Sequence, residues 1–183
     1  MKKEELPPNF KIYLNAQEIK TLVQKIAQDI RESYAENDEI VCVGVLKGAW
    51  IFHSDLVRSL GCPVTVDFMR ATSYGAGTQT SGVVRILKDI EVDVRNKHVL
   101  VVEEIVDSGR TLDFIKKRLE QSGAKSVKVV ALLDKKERRE VALEPDFVGA
   151  VVENYFLVGY GLDWGEKYRY LDCIYKVVDE KLH

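Results

Sequence analysis

The chain has 183 residues, 46% hydrophobic and 31% charged, an apolar content that suits one compact globular domain and excludes a disordered chain. Its 27 basic and 29 acidic residues leave a net charge of −2, which excludes a global positive field drawing it to nucleic acid or anionic lipid. Cys42, Cys62 and Cys173 are odd in number and lack C-x-x-C spacing, against a disulfide framework or zinc cluster, and no apolar run approaches the roughly 18 residues of a membrane span, so the expected location is the cytoplasm.

After a polar lead with Pro7 and Pro8, Asn15 and Glu18 form a capping-box pair, and Ile19, Leu22, Val23, Ile26 and Ile30 recur at helical spacing, predicting a helix from Ala16 to Tyr34. β-rich runs follow at Ile40 to Leu46, Val64 to Met69, Val83 to Leu87, His98 to Val102, Ser126 to Leu133, Phe147 to Val152 and Ile174 to Val178. Helical stretches at Ala49 to Ser59 and Thr111 to Gln121 separate some of them, so an α/β domain around a largely parallel sheet is expected. Ala71 to Gly82, rich in Thr, Ser and Gly, reads as a long loop, either a functional lid or a hairpin connection.

The sharpest feature is the run from His98 to Leu112, in which an apolar strand meets Glu103-Glu104 and then passes through Asp107-Ser108-Gly109-Arg110-Thr111 into a helix. In an open parallel sheet, ligands bind at the carboxyl ends of the strands. The loop offers consecutive backbone N–H groups, two hydroxyls and a helix N-terminus, a combination suited to a phosphate. It is neither a Walker A loop nor a G-x-G-x-x-G turn. The acidic pair is either a pair of solvated charges or a site that takes a ribose diol or hydrated Mg²⁺, a cation that prefers oxygen ligands.

With Leu46-Lys47-Gly48, Ser73-Tyr74-Gly75, Leu133-Asp134-Lys135, Phe156 to Asp163 and Arg169 in matching order, the chain resembles the type I phosphoribosyltransferases over nearly its whole length, and more narrowly their hypoxanthine-guanine branch. The resemblance implies an α/β fold with a largely parallel central sheet flanked by helices, core at about 16–145, and a small hood formed mainly by the C-terminal segments at about 146–183. It implies phosphoribosyl transfer from phosphoribosyl pyrophosphate to hypoxanthine or guanine, Mg²⁺ as cofactor, and a homodimer or homotetramer. Neither nucleic acid nor membrane is an expected partner.

Residue by residue, the resemblance gives Asp107, Ser108, Gly109, Arg110 and Thr111 the 5-phosphate, and Asp107 also the proton at purine N7. Leu46, Lys47 and Gly48 would bind pyrophosphate through a loop with a cis peptide between Leu46 and Lys47, aided by Arg169. Ser73 and Tyr74 would belong to a lid that keeps water from the ribose carbon. Lys135 would donate to the purine O6, Phe156 would stack on the ring, and backbone groups at Leu157 and Asp163 would read the remaining edge. Metal would be held by Asp163, with Glu103 and Glu104 in the ribose and metal region.

This chain departs from the branch in having Glu104 where Asp is commoner and Ser108 where Thr is frequent. The hydroxyl is kept; the added methylene shifts the ribose and metal geometry. A ligand contact for Trp164 is left open. The rival expectation, a nucleotide-sensing RNA-binding regulator on the same fold, requires a concentrated basic face, and here Lys135, Lys136, Arg138 and Arg139 are interrupted by Glu137 and followed by Glu140.

Overall fold

The structure is a computed structural model that describes residues 6–74 and 83–178. A strand β1 (Phe10–Leu14) leads into helix α1 (Ala16–Glu32). The Asn15 side chain accepts from the amides of Gln17 and Glu18, and the Glu18 carboxylate accepts from the Asn15 amide at 2.7 Å, so the helix starts with its first donors satisfied. Ile19, Val23, Ile26, Ala27 and Ile30 form its buried stripe.

Then follow β2 (Ile40–Val45), α2 (Trp50–Leu60), β3 (Thr65–Tyr74), β4 (Val83–Lys88), β5 (His98–Val106), α3 (Arg110–Gln121), β6 (Ser126–Asp134), a 3₁₀ turn (Lys136–Arg138), β7 (Phe147–Val151), β8 (Leu157–Val158) and β9 (Ile174–Val177). The main sheet has the order β4-β3-β2-β5-β6-β7, parallel except for the β3–β4 pair. Both faces are covered, which explains why β2 is buried along its whole length. Cys42, Leu100, Val102, Val130 and Leu132 face α1 and α2, while Val41, Val43, Val99, Val101 and Val129 face α3.

β3 lies on one side of β2 and β5 on the other, so the connections leaving β2 and β5 diverge and open a crevice at the strand carboxyl ends. A smaller antiparallel sheet, β1-β9-β8, forms the hood. Leu157, Tyr160, Leu162 and Ile174 pack into the same apolar layer as α1 and α2, fixing the hood to that side of the main sheet.

Several expectations shift. Helix α1 stops two residues before Tyr34, and β1 and β8 were not foreseen, because each is short and has its partner far away in sequence. The core–hood division expected near residue 146 falls elsewhere: β7 completes the main sheet beside β6, and β1 from the start of the chain joins the hood. Residues 71–74, expected in a loop, extend β3 and pair with β4, while Gly75 to Gly82 lie outside the described residues.

The acidic pair is not at a strand end. β5 pairs with β2 only as far as Val102, but with β6 as far as Val106. Glu103 and Glu104 therefore sit on strand backbone where β2 has turned away into the Leu46–Gly48 loop.

Candidate active site

Leu46 to Gly48, β5 from Glu103, and the Asp107–Thr111 loop converge on a cleft of about 230 Å³ at the carboxyl end of the sheet. Leu46, Lys47, Gly48, Glu103, Glu104, Asp107, Ser108, Gly109 and Thr111 all line it. The Leu46–Lys47 peptide is cis. Gly48 is hemmed in on two sides: a Cβ there would overlap the Glu104 carboxylate, and a Cβ on Gly161 would overlap the Gly48 carbonyl. Three segments far apart in sequence thus meet with no room for a methyl group.

In the phosphate-type loop, Gly109 has φ 81° and caps α3, a left-handed position that glycine takes without steric cost. The loop is clamped by the segment after β6. Arg138 Nε donates to Asp107 Oδ1 at 2.8 Å and Arg139 Nη1 to the Asp107 carbonyl at 2.7 Å. Arg139 also pairs with the fully buried Asp134, Arg110 with Glu140 at 2.5 Å, and the Glu140 amide donates to the Ser108 carbonyl at 3.0 Å. Arg138, Arg139 and Glu140 were visible in the sequence only as members of a charged run.

On the hood side, Arg169 Nη1 donates to the Gly161 carbonyl at 2.7 Å, and its Nη2 pairs with Asp163 at 2.8 Å. Lys47 pairs with Glu166 at 2.8 Å, a residue the sequence reading did not single out. Lys135 Nζ donates to the Tyr155 carbonyl at 2.6 Å; burial lowers its pKa, while Asp107 nearby opposes that. Phe156 is 52% exposed and meets Trp164 edge-on at 6.0 Å, and Leu157 is buried in β8. Lys135, Phe156, Leu157, Asp163 and Arg169 are not among the residues lining the cleft, and Arg110 stands beside it. Ser73 and Tyr74 end β3 opposite Val84 and Val83.

Residues 9–164 match the family model of the phosphoribosyl transferase domain. Over 97% of this chain and 99% of the other, the sequence is 45% identical to a hypoxanthine-guanine phosphoribosyltransferase of Aquifex aeolicus. The chain belongs to the type I phosphoribosyltransferases, in their hypoxanthine-guanine branch. It is also 44% identical to a hypoxanthine phosphoribosyltransferase of Salmonella typhimurium, over 88% of this chain and 91% of that one. A crystal structure of a hypoxanthine phosphoribosyltransferase from Staphylococcus aureus superimposes with a TM-score of 0.89 at 35% identity, covering 94% of each chain.

Within this phosphoribosyltransferase, the acidic pair carries the most perturbed electrostatics. Burial, and then the neighbouring Glu104, push the Glu103 pKa well up; burial also raises Glu104, against the pull of Arg169. The Glu104 amide donates to Glu103 Oε1 at 3.2 Å, whereas Glu104 Oε2 and Arg169 Nε are buried without a partner. Orphaned buried polar atoms of both signs beside one cleft suit a ligand that brings both donors and acceptors.

The donor set also suits Mg²⁺. The Asp163 charge helps raise Glu104, yet among the described residues no cluster of three or more metal-ligating side chains exists. Mg²⁺ commonly keeps several waters and binds through one or two carboxylates together with substrate phosphates, which is what one or two carboxylates beside a phosphate-type loop offer.

Proposed function

We propose that this chain is a purine salvage enzyme that transfers the phosphoribosyl group of phosphoribosyl pyrophosphate to hypoxanthine or guanine, giving IMP or GMP and pyrophosphate. The observation that carries the reading is the convergence, on one cleft, of the Asp107–Thr111 loop, the Glu103–Glu104 pair and the Leu46–Gly48 loop. Backbone N–H groups and hydroxyls from Asp107 to Thr111 bind the 5-phosphate at the α3 N-terminus. Lys47 and Arg169 bind the pyrophosphate end, Arg169 through a planar fork that suits phosphate oxygens. Glu103 and Glu104 accept from the ribose hydroxyls. Mg²⁺, held by Asp163 with Glu104, supplies charge neutralisation on the pyrophosphate when bound.

Asp107 takes the proton from N7 of the incoming base, and Phe156 stacks on the ring. Lys135, released from the Tyr155 carbonyl, donates to O6, while backbone groups near Leu157 and Asp163 read the opposite edge. Adenine presents an amino donor where Lys135 needs an acceptor, so oxopurines are selected. Ser73 and Tyr74 belong to the lid that excludes water.

The enzyme works in the cytoplasm, a compartment that fits its three free cysteines, and assembles as a homodimer or homotetramer, as the family resemblance implies. The RNA-binding reading is disfavoured by the fate of its basic cluster. Lys136 is paired with Glu144, Arg138 with Asp107 and Arg139 with Asp134.

The test is to supply phosphoribosyl pyrophosphate and Mg²⁺ with hypoxanthine, guanine, xanthine, adenine or uracil and to measure nucleotide and pyrophosphate. Turnover of the first two is expected. No turnover with any base, together with salt-dependent RNA affinity, would replace this reading with the regulator.

A further inference from the structure

Glu166 stands at the centre of a turn that the family motifs do not account for. Trp164 and Lys167 exchange two backbone hydrogen bonds of 3.2 Å, closing a two-residue hairpin turn in which Gly165 and Glu166 have φ of 59° and 66°. Both central residues at positive φ is the type I′ arrangement, in which the second position favours glycine. A glutamate there is held against its backbone preference. The Glu166 amide is tied down by Asp163 Oδ2, at 2.8 Å.

What this turn presents is a single carboxylate oxygen shared by two cations. Glu166 Oε2 accepts from Lys47 Nζ at 2.8 Å and lies 3.4 Å from Arg169 Nη2. Lys47 comes from the loop after β2, and Arg169 from the hood. Lys47 lines the cleft and Arg169 does not, and one anion oxygen bridges them. The Glu166 side chain is 64% exposed, so it can leave this position for water, whereas Arg169 is only 19% exposed and is anchored on Gly161. Lys47, and then Arg169, hold the Glu166 carboxyl below its usual range, so it is an anion at neutral pH.

We propose that the Glu166 carboxylate is an internal stand-in for a diphosphate oxygen: it occupies the Lys47–Arg169 pair between turnovers, and an incoming diphosphate must displace it. The proposal rests on the reading of Lys47 and Arg169 as the pyrophosphate ligands. Its function is to keep both cations oriented and paired in the empty site while lowering affinity for the diphosphate leaving group, which favours product release. Glu166 is a positioning residue and takes no part in the bond changes.

Removing this charge therefore strengthens binding, the opposite of what loss of a structural ion pair does. The full-length protein with Mg²⁺ is titrated calorimetrically with inorganic pyrophosphate and, separately, with phosphoribosyl pyrophosphate. Five forms are compared: wild type, Glu166→Gln, Lys47→Gln, Arg169→Gln and the Glu166→Gln/Lys47→Gln double variant. Glu166→Gln is expected to tighten both ligands about three- to ten-fold at low salt, with a smaller gain at high salt, as befits exposed charges. Lys47→Gln weakens both, and in that background the Glu166→Gln gain shrinks, since the two act through each other.

Equal or weaker diphosphate binding by Glu166→Gln, alongside weakening by Lys47→Gln, would overturn the stand-in and leave the pyrophosphate site intact. Diphosphate affinity unmoved by Lys47→Gln and by Arg169→Gln removes the site reading itself, and the stand-in with it.

Discussion

Asp107 is oriented before any substrate arrives. Its carboxylate accepts from Arg138 and its carbonyl from Arg139, so the proposed proton acceptor is fixed by the element that follows β6. Asp107→Asn keeps the shape and removes the base, and kcat should fall about 10²–10⁴-fold with little change in the phosphoribosyl pyrophosphate KM, measured by initial rates. Glu103 yields a prediction of a different kind. Its folded pKa is raised, so above the unfolded range of about 4.3 the native state binds more protons than the unfolded chain. The stability it contributes is present below that range and is lost as pH rises through the folded value. Glu103→Gln should therefore raise the ligand-free Tm at pH 8 by about 2–4 °C, the shift that one kcal/mol makes in a chain of this size, with the gain vanishing towards pH 4. Calorimetric melts across that range check both the sign and the window. At this scale the sequence disclosed Asp107, Glu103 and Lys47 because motif order marks them. It did not disclose Glu166 or Arg138, whose roles arise from pairing across 119 and 31 positions and follow no local pattern.

Among the elements, the Leu46–Gly48 loop is shaped from outside. Gly161 has φ 100° and no room for a Cβ against the Gly48 carbonyl, so the hood loop sets the position of the Leu46–Gly48 loop by direct contact. Gly161→Ala should lower kcat/KM for phosphoribosyl pyrophosphate on the order of 10²-fold, the cost of misplacing a reacting group by about an ångström, while the thermal melt shows whether the fold persists. The apolar strands were legible as elements because β2, β5 and β6 are buried on both faces and read as near-continuous runs. Their ends were not. β5 runs on through two glutamates because β6 continues beside it, and β3 runs on through Arg70 and Thr72 because β4 returns along it. In both, a neighbouring strand outweighs the polar residues that signal a stop in an isolated sequence.

The whole molecule is two sheets joined through one apolar layer, with a polar tie at the join. Tyr160 donates to Asp55 of α2 at 2.7 Å, and Tyr160 itself is buried. Tyr160→Phe should lower Tm by about 2–4 °C, corresponding to the roughly 1 kcal/mol of a single hydrogen bond, as measured by calorimetry. Burial raises the Tyr160 pKa, so the phenol remains a donor throughout the neutral range. The hood's composition bears on how the protein comes into being. Its sheet pairs Phe10–Leu14 with Ile174–Val177, so β1 must wait for a partner made about 160 residues later. The six-stranded sheet draws only on residues between those two and has all its strands once Val151 has emerged from the ribosome. In vectorial synthesis at about 5–20 residues per second, the six-stranded sheet is therefore assembled before the hood can close, and β1 spends that interval as an unpaired strand, the point at which a nascent chain is most exposed to mispairing.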